Sequence, residues 1–146
     1  NKSSLPNAVN YMSYRRIENF YGSMLENVDG INIQNRKVFI NTKNNPATFA
    51  SDVYTGDYVD SGIILPVSSE EYIKDCNISP EYGILPSVGG GSNTTRYGDG
   101  IWTNTGNKIV YISGSADNAT FTGPSCLSGN NGSSDVFVAV GCGISC

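Results

Sequence analysis

Apolar positions near the front of the chain recur at intervals of three and four. Ile17, Phe20, Tyr21, Met24, Leu25 and Val28 fall on one stripe of YMSYRRIENFYGSMLENV. That period predicts a helix over residues 11–28, interrupted at Gly22, whose stripe would be buried against a sheet. Asp29-Gly30 punctuates the pattern. INIQ and KVFIN then predict two short strands, 31–34 and 37–41, joined as a hairpin around Asn35-Arg36.

From 42 to 100 the signals are mostly those of loops. Asn44-Asn45-Pro46 starts a turn, and Phe49 and Tyr54 are single apolar anchors in a polar run. A short strand is expected at 63–65, ended by Pro66. A short helical piece is expected at 68–75, where Ser68 or Ser69 could cap ahead of two glutamates. Residues 83–100 hold Gly89-Gly90-Gly91 but lack the Lys-Ser/Thr ending of a phosphate loop, so they read as a folded surface loop. The last third has β character. After the short apolar IWT at 101–103 it runs through three strands, KIVYISG at 108–114, TFTG at 120–123 and DVFVAVGC at 135–142. Helix, hairpin, long loops and three closing strands predict an α+β domain.

Composition narrows the chemistry. The 146 residues include no histidine, which removes imidazole bases, Ser-His-Asp and Cys-His sites, and His-containing metal sites. A net charge of -4 with only 9 Lys and Arg argues against a nucleic-acid partner. Gly, Ser, Thr and Asn fill 61 positions, and 38% of residues are apolar, enough for one modest core. The expected class is a binding or structural module without cofactor or metal, not an enzyme.

Cys76, Cys126, Cys142 and Cys146 make neither paired CxxC arms nor a CxxC redox motif. Free structural thiols are favoured over a disulfide, and the pairing stays open. Asn1, Asn77, Asn93, Asn118 and Asn131 head Asn-x-Ser/Thr sequons, which this composition nearly supplies by chance. The chain begins at Asn1 rather than Met, which suggests part of a longer protein. Its first ten residues contain no signal-like core, and no apolar run approaches the roughly 20 residues of a membrane span, so no membrane insertion is expected. Residues 1–10 read as a lead-in and 11–146 as one domain.

YRRIENFYGSMLENVDGINI resembles the YRGIENxWGNVWEWVDGINI signature of C-type-lectin-like domains. These are of the formylglycine-generating-enzyme and sulfatase-modifying-factor type, in the branch found in bacteriophage structural proteins and retroelement-diversified proteins. The positions that carry the likeness are Tyr14, Arg15, Ile17, Glu18, Asn19, Gly22, Glu26, Val28, Asp29, Gly30 and Ile31. Farther on, LPSVGGGSN, Tyr97 and DGIWTNTGNKIVYISGS resemble the same branch, through Trp102 and Gly114. The closing Gly-Phe-Arg of the family is here Gly141-Cys142-Gly143.

The resemblance implies a C-type-lectin-like fold with one or two short helices, small antiparallel sheets and long loops. It implies a non-enzymatic virion domain, the tip or knob of a phage tail or head fibre that contacts a host glycan or protein. Trimeric assembly and contacts with other virion proteins would follow, on the virion surface. Alternatives are a bacterial surface or secreted adhesin of the same fold, and a purely structural decoration or assembly domain. The family's copper-dependent oxidase branch is not matched, because Cys142 and Cys146 lie past the alignable motif. The expected ligand-binding residues are Asp117, Asn118, Thr120, Thr122, Asn130, Asn131 and Asp135, which can hydrogen-bond, with Trp102, Tyr111 and Phe121 as aromatic anchors.

Overall fold

Strand pairing, rather than a helical stripe, organises the chain. The computed structural model describes residues 13–14, 17–18, 25–43, 45–95, 97–114, 121–135 and 140–141. The opening strands β1 (Ser13–Tyr14) and β2 (Ile17–Glu18) pair with each other. Next come β3 (Leu25–Gln34), β4 (Lys37–Asn41), a 3-10 turn at Pro46–Thr48, β5 (Tyr58–Ile64) and β6 (Ser68–Ile73). A hairpin of β7 (Asp75–Ser79) and β8 (Gly83–Val88) follows. The chain then forms β9 (Tyr97–Thr103), β10 (Asn107–Ile112), β11 (Leu127–Gly129) and β12 (Val140–Gly141).

One mixed sheet of eight strands dominates. Its order is β5-β4-β3-β10-β11-β9-β6, with β12 beside the start of β3. The β11–β9 and β12–β3 pairs are parallel and the others antiparallel. Among the described residues there is no α-helix. The α+β, C-type-lectin-like fold is therefore corrected to a β-sheet domain, and the family resemblance goes with it.

The expected helix over 11–28 contains β1, β2 and the first residues of β3; its remaining positions lie outside the described residues. Glu26, Asn27 and Val28 stand opposite Ile112, Tyr111 and Val110. That β-branched and aromatic partner strand supplies a ladder that outweighs a local period already weakened by glycine. The helical piece at 68–75 is strand for the same reason, since β6 pairs along β9 from Ser68↔Thr103 to Ile73↔Tyr97. The glycine-rich loop at 83–100 holds β8 and the start of β9, and β11 arises between the expected strands at 120–123 and 135–142. Of the motif positions, Tyr14 and Glu18 lie in β1 and β2, Asp29 and Gly30 in β3, Trp102 in β9, and Gly114 after β10. Arg15, Asn19 and Gly22 lie outside the described residues.

The β3–β4 hairpin does form, with Asn35 at φ 49 and Arg36 at φ 69. Two left-handed residues make the turn that matches the twist of the flanking strands. Asn35 N donates to Gly106 O at 2.9 Å and Asn35 Oδ1 accepts from Gly106 N at 2.9 Å, which locks the turn to the neighbouring one.

Asp29-Gly30 is no boundary but a bulge. While β10 advances from Ile109 to Val110, its partners on β3 step from Asn32 to Val28, so residues 29–31 are left over on that side. Gly30 sits at φ +80, and a Cβ there would lie 3.1 Å from the Phe49 ring. Phe49 comes from the loop between β4 and β5, which is tied down by buried asparagines. Asn32, 3% exposed, donates both amide hydrogens, to Ala50 O at 2.8 Å and Val53 O at 2.9 Å. Asn41 donates to Thr48 O at 3.1 Å, and the Tyr58 hydroxyl accepts from Ala50 N at 2.8 Å.

The core gathers Ile33, Val38, Ile63, Leu65, Ile73, Ile101, Val110 and Leu127 of the large sheet and its connections. Leu85 of β8 is buried with them, and Cys76 and Tyr82 of the hairpin region pack against the cluster.

Replacing the buried Asn32 with Ala removes both hydrogen bonds to the Ala50 and Val53 carbonyls, and a hydrogen bond of this kind is worth about 0.5–1.5 kcal/mol. Asn32→Ala should lower the urea unfolding free energy by at least that much. The exposed Asn27→Ala should stay within about 0.5 kcal/mol of the parent. Equal midpoints for the two variants would show that the clamp carries no stability.

Candidate cleft over the β3 bulge

The bulge and the clamped loop leave an open cleft on the sheet. Ile31 of β3 pairs with Ile40 of β4, and Ile40 pairs with Val59 of β5. The three form an apolar row across the strands, and the outermost, Val59, is 51% exposed. Phe49 lines one part of the cleft and Tyr82, from the turn between β7 and β8, another. The volume is about 750 Å³, within the usual range of small-ligand sites. A smaller polar recess of about 190 Å³ adjoins it, lined by the bulge, Phe49, Ala50 and Ser51.

Acidic residues line the cleft from three elements, Asp29 on the bulge, Asp60 on β5 and Glu81 on the hairpin turn, and the Asp60 carboxylate is turned to Lys37. Among the described residues neither Lys nor Arg lines it. Asp60 accepts from Gly62 N at 2.9 Å through Oδ1 and meets Lys37 Nζ at 3.5 Å through Oδ2. Both partners of that ion pair are exposed, so it adds little stability. Asp29 Oδ1 accepts from Asn27 Nδ2 at 3.2 Å.

None of the ligand residues expected from sequence that fall among the described residues lines the cleft. Trp102 and Phe121 do meet, with ring centroids 5.7 Å apart, and Tyr72 stacks on Phe121 at 4.2 Å. This aromatic group packs over Gly100, where a Cβ would fall 2.6 Å from Trp102 and 2.7 Å from Phe121. Thr122 lies against Gly114, and Tyr111 is buried. Asn130, Asn131 and Asp135 sit on the segment after β11. Asn131 O accepts from Ile109 N at 3.0 Å, and Asp135 Oδ2 accepts from Gly132 N at 2.7 Å. Ser133 of that segment donates to the Asp52 carboxylate. Asp117, Asn118 and Thr120 lie outside the described residues.

Sequence reasoning passed over Ile31, Ile40, Val59, Asp60, Glu81 and Tyr82. One signal was available: a lone glycine inside a strand-like run marks a bulge, and Gly30 stands between two such runs.

No protein-family model, curated protein or solved structure matches this chain. The C-type-lectin-like and bacteriophage descriptions that came with the resemblance thus find no support in the comparisons, and the helix-poor sheet contradicts the fold they require. Among the described residues no group of three or more His, Cys, Asp or Glu could hold a metal ion. No helix among them is long and apolar enough to cross a membrane.

Cys76 and Cys126 carry free thiols. Burial, with the charge of Asp99, pushes Cys126 from about 9 up to about 12, partly offset by a backbone hydrogen bond at Gly100. Burial and the charges of Asp75 and Asp99 push Cys76 up to about 11. Tyr54 and Tyr111 are also raised, each first by burial. The folded state thus holds these protons more tightly than the unfolded chain does. Their contribution is complete below about pH 9, where both states keep the protons, and is lost as pH rises toward 12. Unfolding midpoints should therefore fall steadily across that alkaline window, and Cys126→Ala should flatten the slope. A midpoint constant through pH 11 would contradict the burial of these groups.

Proposed function

We propose that this chain is a non-enzymatic binding domain that takes its ligand in the cleft over β3, β4 and β5. The observation that carries this reading is the row Ile31–Ile40–Val59, in register along the cleft between Phe49 and Tyr82, with Ile31 and Ile40 half-buried against the core and Val59 exposed. An apolar floor with a few polar groups around it is the ordinary make-up of a ligand site. The elements that frame it are fixed by the asparagine clamp and by packing of Tyr82 on the core, so the site is preformed and needs little ordering on binding.

A second reading has its own observation. On the β7–β8 hairpin Ile78, 71% exposed, stands directly opposite Ile84, 57% exposed. A paired apolar patch of this kind suits an assembly contact with another chain, including a second copy. Sedimentation of the parent and of Ile78→Glu at several concentrations tests it. Self-association lost in the variant supports assembly, and a monomer at all concentrations argues against a self-contact.

For the cleft, titration of the labelled protein with a fragment set should move the backbone amides of Ile31, Ile40 and Val59 most. Val59→Ser, at a half-exposed position, should weaken such binding about tenfold and shift stability by less than about 1 kcal/mol. Shifts confined to Asn130, Asn131 and Asp135 would move the site to the segment after β11.

A further inference from the structure

Resting on the cleft reading above, we infer that its ligand carries an alkylammonium group: an aliphatic stem on the apolar row and a cationic head among the rim carboxylates. The row runs across three strands, two inter-strand spacings or about 10 Å, and forms a strip rather than a round pocket. A strip suits an extended methylene chain, as long basic side chains lay their stems along apolar surface while the head stays wet.

Charge and donor capacity select the head. Asp29 and Glu81 approach from two separate elements, Asp60 stands beside them paired with Lys37, and among the described residues no cation lines the cleft. Asp29 and Glu81 make no ion pair among the described residues, and Lys37 meets only Asp60. The polar donors that line the cleft are meanwhile turned to the protein itself. The Asn41 amide donates to Thr48, the Thr42 hydroxyl to Asp57 O at 3.3 Å, and the Ser61 hydroxyl to Val38 O at 2.8 Å. Apart from the Tyr82 hydroxyl, the rim offers acceptors. An anion would face the Asp29 and Glu81 carboxylates, with which no cation among the described residues pairs. A saccharide would find few donors for its oxygens. An ammonium supplies three donors and a positive charge, which is what such a rim lacks. Phe49 and Tyr82 add aromatic surface that favours a cation further.

The same chemistry can arrive as a free alkylamine or as a lysine side chain of a peptide. Three probes share one stem and differ in the head: n-pentylamine, n-pentanol and n-pentanoate, titrated against the whole chain with amide shifts as readout. The amine should bind at Ile31, Ile40 and Val59 at least about tenfold more tightly than the alcohol, with pentanoate weakest. Asp29→Asn combined with Glu81→Gln should bring the amine to the level of the alcohol, while the alcohol itself is unchanged. Raised salt should weaken the amine alone. A lysine-containing peptide that binds more tightly than pentylamine assigns the source to a peptide, and one that binds more weakly assigns it to a free amine. Amine and alcohol binding equally at the cleft would overturn the inference and leave the binding site standing. Cleft amides that respond to none of the probes would overturn both.

Discussion

Both hydrogens of the Asn32 side-chain amide go to carbonyls of the loop between β4 and β5, at 2.8 and 2.9 Å. The rest of the cleft depends on that pair of bonds. Asn32 is buried near the end of β3, an interior strand, so the loop is tied to the inside of the sheet rather than to its edge. With Ala50 and Val53 held, Phe49 is delivered against Gly30. A buried amide with both donors used is directional, and it fixes the position of a loop that hydrophobic packing alone would leave adjustable.

The bulge is the counterpart of the clamp. Residues 29–31 leave the β10 ladder, yet Ile31 stays paired to Ile40. The strand thus turns an apolar side chain toward β4 and a carboxylate toward the cleft within three residues. Gly30 permits this because its φ of +80 is one that a residue with a Cβ adopts only under strain. The nearby edge is kept from open-ended pairing by similar means. Asp60, the Lys37 contact, and Gly62 at φ +75 interrupt the regularity of β5. A sheet that presents an apolar row is thereby a poor template for another strand.

Local features of the fold were legible where local chemistry decides. Alternation marked the strand that became β10, and the residues around Asn35-Arg36 marked a tight hairpin, because turn geometry and side-chain period are properties of a few neighbouring residues. Phe49 and Tyr54 stood out as lone apolar residues in a polar run, and both are anchors: Phe49 against Gly30, Tyr54 edge-on to Phe39 with centroids 5.3 Å apart. The stretch 11–28 misled because its spacing of apolar residues reports local period alone, while its described residues fall in β1, β2 and the start of β3. Only the presence of Val110, Tyr111 and Ile112 opposite β3 decides in favour of strand. The likeness to a lectin-type motif followed the same residues and inherited the same error.

By itself the sequence determined that this is a histidine-free, mildly acidic chain with one modest core, free of imidazole chemistry, and with turns wherever Asn and Gly cluster. Tertiary structure decided what those residues face. Ile31, Ile40 and Val59 are separated by up to 28 positions, read from their numbers, and become one row only through the registers of two strand pairs. Asp29, Asp60 and Glu81 become one rim only when the hairpin turn reaches the sheet. Periodicity reports which faces of an element are apolar. It carries no information on which strand lies beside which, because that choice is made by pairing and burial between residues far apart in the chain.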